Sequence, residues 1–242
     1  MQLMGVLQAG QKSNRVCVIS SWDDADKYTF KLAKLLEKYK IKATFFVPIK
    51  PTKYGRITDN EIVELSKAYE IGGHSITHTD LTTLPLHVAK NEILECKKVL
   101  EQLCGVPISC FCYPEGKFND AIKNIVKKSG FIAARTTKPY RIKNSDPFAM
   151  PTTIQCHNQN ISRNIFNLVK HGIKFESKKW DKLAAKLFDV CLEKGGCFHF
   201  WGHAWEIEKE NGWDILENLL SYISYRKDVF YLTMKDYILK VQ

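Results

Sequence analysis

Residues 1–15 show neither a charged leader running into an apolar core nor a stretch long enough to span a bilayer. These absences argue against a membrane segment and set the expectation of a cytoplasmic protein, although a leader removed ahead of this sequence is left open. Paired short cysteine spacings are missing too: the eight cysteines stand at 17, 96, 104, 110, 112, 156, 191 and 197. That pattern excludes a cysteine-rich structural zinc site and argues against a disulfide framework. Cys17, Cys110, Cys112 and Cys197 fall inside apolar, strand-like runs, where a reduced thiol serves as a small buried hydrophobe. There is no dense basic run either. The net charge of +10 comes from lysines spread along helix faces, such as Lys31, Lys34, Lys38 and Lys40, so we expect a solvated surface and no nucleic-acid partner. No repeat or low-complexity linker divides the chain, and residues 1–242 are expected to form one domain with a flexible or peripheral segment over 1–14.

What is present is an alternation of strands and helices. A 242-residue chain with 45% hydrophobic residues can bury one large core. Val16–Ser20 and Ala43–Val47 are short apolar runs of the kind found in buried parallel strands. Between them, Lys27–Lys40 repeats apolar residues at helical spacing. Thr58 followed by Glu61 is a capping box that opens a helix to about Tyr69, and a long helix from Pro85 ends at Gly105. Further strands are expected at Ile71–Ser75, Ser109–Tyr113, Phe131–Arg135, Thr153–Cys156, Cys197–Trp201 and Val229–Thr233, the last finishing the chain. Helices are expected over Asn119–Ser129 and Asp181–Glu193 and from Asp214. Seven or eight βα units favour an α/β fold, a distorted (β/α) barrel, over an open doubly wound sheet.

In a barrel the working groups sit at the C-terminal ends of the strands, and that is where the polar residues cluster. Asp23 and Asp24 follow the first strand. Two adjacent ionised carboxylates repel, which a nearby cation would relieve, although the pair alone also fits a helix N-cap with first-turn acids. His74-Ser75-Ile76-Thr77-His78 sets two imidazoles four apart at the end of the third strand. Seven histidines in 242 residues would give roughly 0.2 such pairs by chance. Asp24, His74 and His78 together supply one oxygen and two nitrogen donors and leave open positions, as metal-assisted hydrolysis requires.

With Ser21-Trp22-Asp23-Asp24 and His74-Ser75-Ile76-Thr77-His78 in this order, the chain resembles the NodB-homology polysaccharide deacetylases of carbohydrate esterase family four, over roughly Val16–His203. The resemblance implies Asp23 as general base and Asp24, His74 and His78 as ligands of one divalent ion, zinc or a similar metal. A third family motif, Arg-x-Pro-Tyr/Phe-Gly, reads Cys112-Tyr113-Pro114-Glu115-Gly116, which places Tyr113 and Pro114 at the substrate but lacks the arginine that orients the catalytic aspartate; Arg135 is a candidate to replace it. Trp201-Gly202-His203 matches the last motif and implies His203 as the acid that protonates the leaving amine, with His199 as rival from one pleat deeper. Trp205 and Trp213 are candidates for stacking on a sugar, and Glu206 for binding hydroxyls or capping a turn. The implied activity is metal-dependent removal of acetyl groups from N-acetylated amino sugars in a polysaccharide or oligosaccharide. The alternatives are a carbohydrate-binding barrel with impaired catalysis, and an amidohydrolase acting on non-sugar linear amides.

Overall fold

The strands β1 (Val16–Asp23) and β2 (Ala43–Val47) are buried at every position, as strands covered on both faces must be. In the computed structural model, which describes residues 16–157 and 179–241, they are joined by β3 (Glu70–Gly73), β4 (Cys110–Cys112), β5 (Ala133–Arg135), β6 (Ile154–Gln155), β7 (Gly196–His203) and β8 (Val229–Leu232). All eight pair in parallel, in the order β5-β4-β3-β2-β1-β7-β6, with β8 against β1. One edge of β1 is shared: Val16–Ile19 pair with β8, and Ser20–Asp23 with β2. Met150 exchanges backbone hydrogen bonds with Ala134 and Thr136, and further along the same segment Ile154 pairs with Phe200 of β7. That segment stitches the two ends of the sheet into the expected distorted barrel.

Successive strand residues face opposite sides, and this alternation divides the core in two. Cys17 and Ile19, Phe46, Cys110 and Cys112, Ala133 and Cys197 line the barrel interior. Val16, Val18 and Trp22, Phe45, Phe111, Phe198 and Phe200 face outward into the layer of helices. That layer includes α1 (Thr29–Lys38), α2 (Asp59–Ser66), α3 (Leu86–Cys104), α4 (Asp120–Lys128), α5 (Trp180–Lys194), α6 (Ala204–Lys209) and α7 (Trp213–Ile223). The expected capping box of Thr58 and Glu61 and the left-handed Gly105 cap are both present.

Three expectations are corrected. The third strand stops at Gly73 rather than Ser75, because Ser75 adopts φ 63° and leaves the extended conformation. The strand expected over Cys197–Trp201 continues to His203, carried along by eight residues of register with β1. Beyond β8 the chain forms a further helix, α8 (Met234–Val241), whose Met234, Tyr237 and Ile238 plug the barrel end opposite the polar cluster. The expectation for residues 1–14 lies outside the described residues.

Candidate active site

The β1–β2–β3 edge delivers its polar residues to one mouth of the barrel. Asp23 ends β1, is 5% exposed, and accepts hydrogen bonds at both carboxylate oxygens from Arg135 Nη2 at the end of β5. The guanidinium lies 4.4 Å above the Trp201 ring and 5.4 Å from Phe46, so aromatic faces inside the barrel hold its plane. Arg135 Nη2 also donates to Cys112 Sγ at 2.9 Å, and that thiol lies 3.7 Å from Asp23. Arg135, the candidate to replace the arginine absent from the Cys112–Gly116 motif, thus pairs with Asp23, and Cys112 lies against both. Burial pushes the Asp23 carboxyl up, but Arg135, His74 and His203 outweigh it and hold it down at about 2.

His74, Asp24 and His78 converge beside it. The His74 Nδ1–H donates to the Cys112 carbonyl at 2.8 Å, which fixes the tautomer and leaves Nε2 as a lone pair. Burial keeps this imidazole neutral, down at about 4. Its Nε2 has no hydrogen-bond partner, and neither does the buried Asp24 Oδ1. Two orphaned polar atoms in a 1%-exposed histidine and a 3%-exposed aspartate are costly unless a cation joins them. With His78 Nε2, which is 3.7 Å from Asp24 Oδ1, they form a group whose ligand atoms all lie within 4.8 Å of one another. Asp23, His74 and Cys112 make a second such group, but there the Arg135 guanidinium already takes the place of a cation. Backbone strain gathers here: Asp24, Ala25, Ser75, His78 and Glu115 all have positive φ.

His203 closes the other side. Its Nδ1–H donates to Glu206 Oε2 at 2.7 Å, and its Nε2 faces Asp24 Oδ2 at 4.0 Å. Burial disfavours the imidazolium, but the Glu206 hydrogen bond and the nearby Asp23 charge prevail and raise its pKa. His199 sits deeper, bonded to the Ser21 hydroxyl at 2.9 Å, and burial holds it neutral at about 3.

The residues expected at the substrate are largely engaged by the protein. Trp205 donates Nε1–H to Asp24 Oδ2 at 3.2 Å and is flanked by Tyr54, stacked at 3.4 Å, and by the His203 ring at 5.3 Å. Tyr113 is fully buried, stacked on Phe118, with its hydroxyl donating to Phe148 O, and Pro114 is buried beside it. Glu206 accepts from His203 and from Gln155 Nε2. Trp213 packs under Lys31 and donates to Glu208. Sequence reasoning did not single out Tyr54, Gln155 or Glu92. Of these, Glu92 left a signal, a carboxylate among the buried positions Ala89, Ile93, Cys96 and Leu100 of α3.

The fold and this ligand set define a parallel α/β barrel with a candidate metal centre at its mouth. Residues 10–134, about half of the sequence, match the family model described as polysaccharide deacetylase, and the chain belongs to that family. Over 121 residues it is 28% identical to the peptidoglycan-N-acetylglucosamine deacetylase of Bacillus cereus, covering 49% of this chain and 55% of that protein. The chain spans about half the length of the curated relatives it matches, or less. A solved structure from Mycobacterium smegmatis, assigned to the polysaccharide deacetylases, shares the fold with a TM-score of 0.67 at 15% identity, over 99% of this chain and 95% of that one. PuuE allantoinase shares it with a TM-score of 0.66 at 13% identity, over 94% and 90%.

Proposed function

We propose that this chain removes acetyl groups from N-acetylated amino sugars, using one divalent ion, zinc, held by Asp24, His74 and His78. The observation that carries the reading is the pair of buried orphans, Asp24 Oδ1 and His74 Nε2, facing His78 beside a second carboxylate. When bound, the ion supplies Lewis acidity toward the scissile carbonyl and toward water. Asp23, ionised and fixed by Arg135, accepts the proton of the attacking water. His203, kept protonated and aimed by Glu206, delivers a proton to the departing nitrogen, giving acetate and a free amine. Trp205 holds the outer oxygen of Asp24, so that Oδ1 keeps its aim. Membership of the deacetylase family and the deacetylase activity named for the Bacillus cereus relative support the same reading.

A second reading, an amidohydrolase on a non-sugar linear amide, draws on one observation. The aromatic rings expected to receive a sugar are occupied by Tyr54, His203, Phe118 and Lys31. One panel separates the readings: acetate release from N-acetylglucosamine oligomers and ammonia or formate release from linear amides, by zinc-stripped and zinc-reloaded protein. Zinc-dependent acetate release is expected, and full activity in the stripped protein would refute the mechanism.

A further inference from the structure

The loop between the two candidate ligand histidines is held from outside the barrel by a single carboxylate. Glu92, on the inner face of α3 and 8% exposed, accepts the backbone N–H of Ile76 and of Thr77 through the same oxygen, Oε2, at 2.9 Å each. The rest of the loop is tied elsewhere: His74 N–H donates to Val47 O, the Ser75 and Ile76 carbonyls accept from Ile49 and Lys50, and His78 N–H donates to Ser75 Oγ. Among the described residues no lysine or arginine pairs with Glu92, so the two amides are the counterpart of its charge.

We propose that Glu92 is a positioning residue for His74 and His78, acting as an acceptor that locks the intervening turn in its ligating form. This rests on the reading that these histidines hold the ion. Ser75 and His78 adopt φ 63° and 58°, conformations that side chains resist, so the turn persists only while its surroundings fix it. Successive N–H groups pointing into one concavity bind an anion, and here a helix 19 residues long supplies it rigidly. Without that acceptor, two adjacent amides lose their partner and the turn relaxes toward ordinary φ values. His78, the more exposed of the two rings, then loses its relation to His74, whose own ring is independently fixed by the Cys112 carbonyl. Because one oxygen takes both hydrogen bonds, a carboxamide can do the same, whereas a hydrocarbon cannot.

The test uses metal-stripped protein of residues 1–242 and two probes, Zn²⁺ affinity by competition with a chromophoric chelator and the visible spectrum of the Co²⁺ form. Glu92→Leu is expected to weaken Zn²⁺ binding by about 10- to 100-fold, as loss of a ligand's supporting partner does, and to alter the Co²⁺ bands. Glu92→Gln is expected to keep the affinity and spectrum of the parent. Wild-type affinity and spectrum in a folded Glu92→Leu would overturn the proposal, as would a Glu92→Gln as weak as Glu92→Leu. If Glu92→Leu does not fold, Glu92→Asp, one methylene short of the turn with its charge intact, carries the same expectation and the same refutation. A parent protein that takes up no Zn²⁺ would instead refute the metal reading itself.

Discussion

Arg135, from the fifth strand, grips Asp23, from the first, across 112 residues of sequence and inside the barrel. Both groups are almost wholly enclosed, so neither can lose the other cheaply: an unpaired buried charge typically costs about 3–5 kcal/mol. Arg135→Met is therefore expected to lower unfolding stability by that order in urea titrations. It should also release the Asp23 carboxyl upward from about 2, since burial then acts with less opposition. Turnover should fall about 100-fold, as a base displaced from its line of attack requires. A stable, fully active Arg135→Met would remove the arginine from the mechanism.

The two neighbouring aspartates are expected to separate binding from chemistry. Asp23→Asn should keep the metal and lose about 10²- to 10⁴-fold in turnover, the range for a positioned base. Asp24→Asn should lose the metal. Metal content by atomic emission, measured beside turnover, checks both, and the opposite pattern would mean that the roles are exchanged.

Glu206 is expected to set the basic limb of the pH profile. If His203 is the acid it must be protonated, so the rate should fall as pH rises through the His203 pKa, which the Glu206 hydrogen bond raises. Glu206→Gln lowers that pKa and should move the basic limb to lower pH; an unmoved limb would show that another group titrates there. His203→Ala should depress turnover at unchanged metal content, whereas His199→Ala should chiefly cost stability, because His199 bonds Ser21 in the interior. A dead, folded and metal-loaded His199→Ala beside an active His203→Ala would reverse that assignment.

Thiol chemistry should be slow and selective. No disulfide joins the eight cysteines, of which seven are buried and Cys104 is partly exposed, and burial pushes Cys96 and Cys191 up to about 12. Native alkylation followed by mass spectrometry is expected to mark Cys104 first. Early marking of Cys112 would mean that the barrel opens readily near Asp23.

Local signals were legible in the sequence, and distant ones were not. Strand ends carrying Asp23, Asp24, His74 and His78 could be read because apolar runs stop where the polar residues begin. The Thr58 cap and the Gly105 stop could be read because each acts within one helical turn. The Tyr54–Trp205 stack joins side chains far apart in sequence, and no periodicity reports such a contact. Glu206 is a local partner, three residues from His203, yet it reads as a rim residue because the six-residue helix α6 that turns it onto the ring gives too short a pattern. The α8 helix escaped notice because eight residues after a strand give too short a pattern.

The divided edge of β1 bears on how the chain reaches this state. Val16–Ile19 wait for Val229–Leu232, more than two hundred residues later, while Ser20–Asp23 can pair with β2 as soon as Ala43–Phe46 exist. Such high contact order slows folding, and a polypeptide emerging from the ribosome must keep half of this edge of β1 unpaired until residues 229–232 have been made. During synthesis that bare apolar edge is a template for intermolecular pairing, and it vanishes only when β8 slots in.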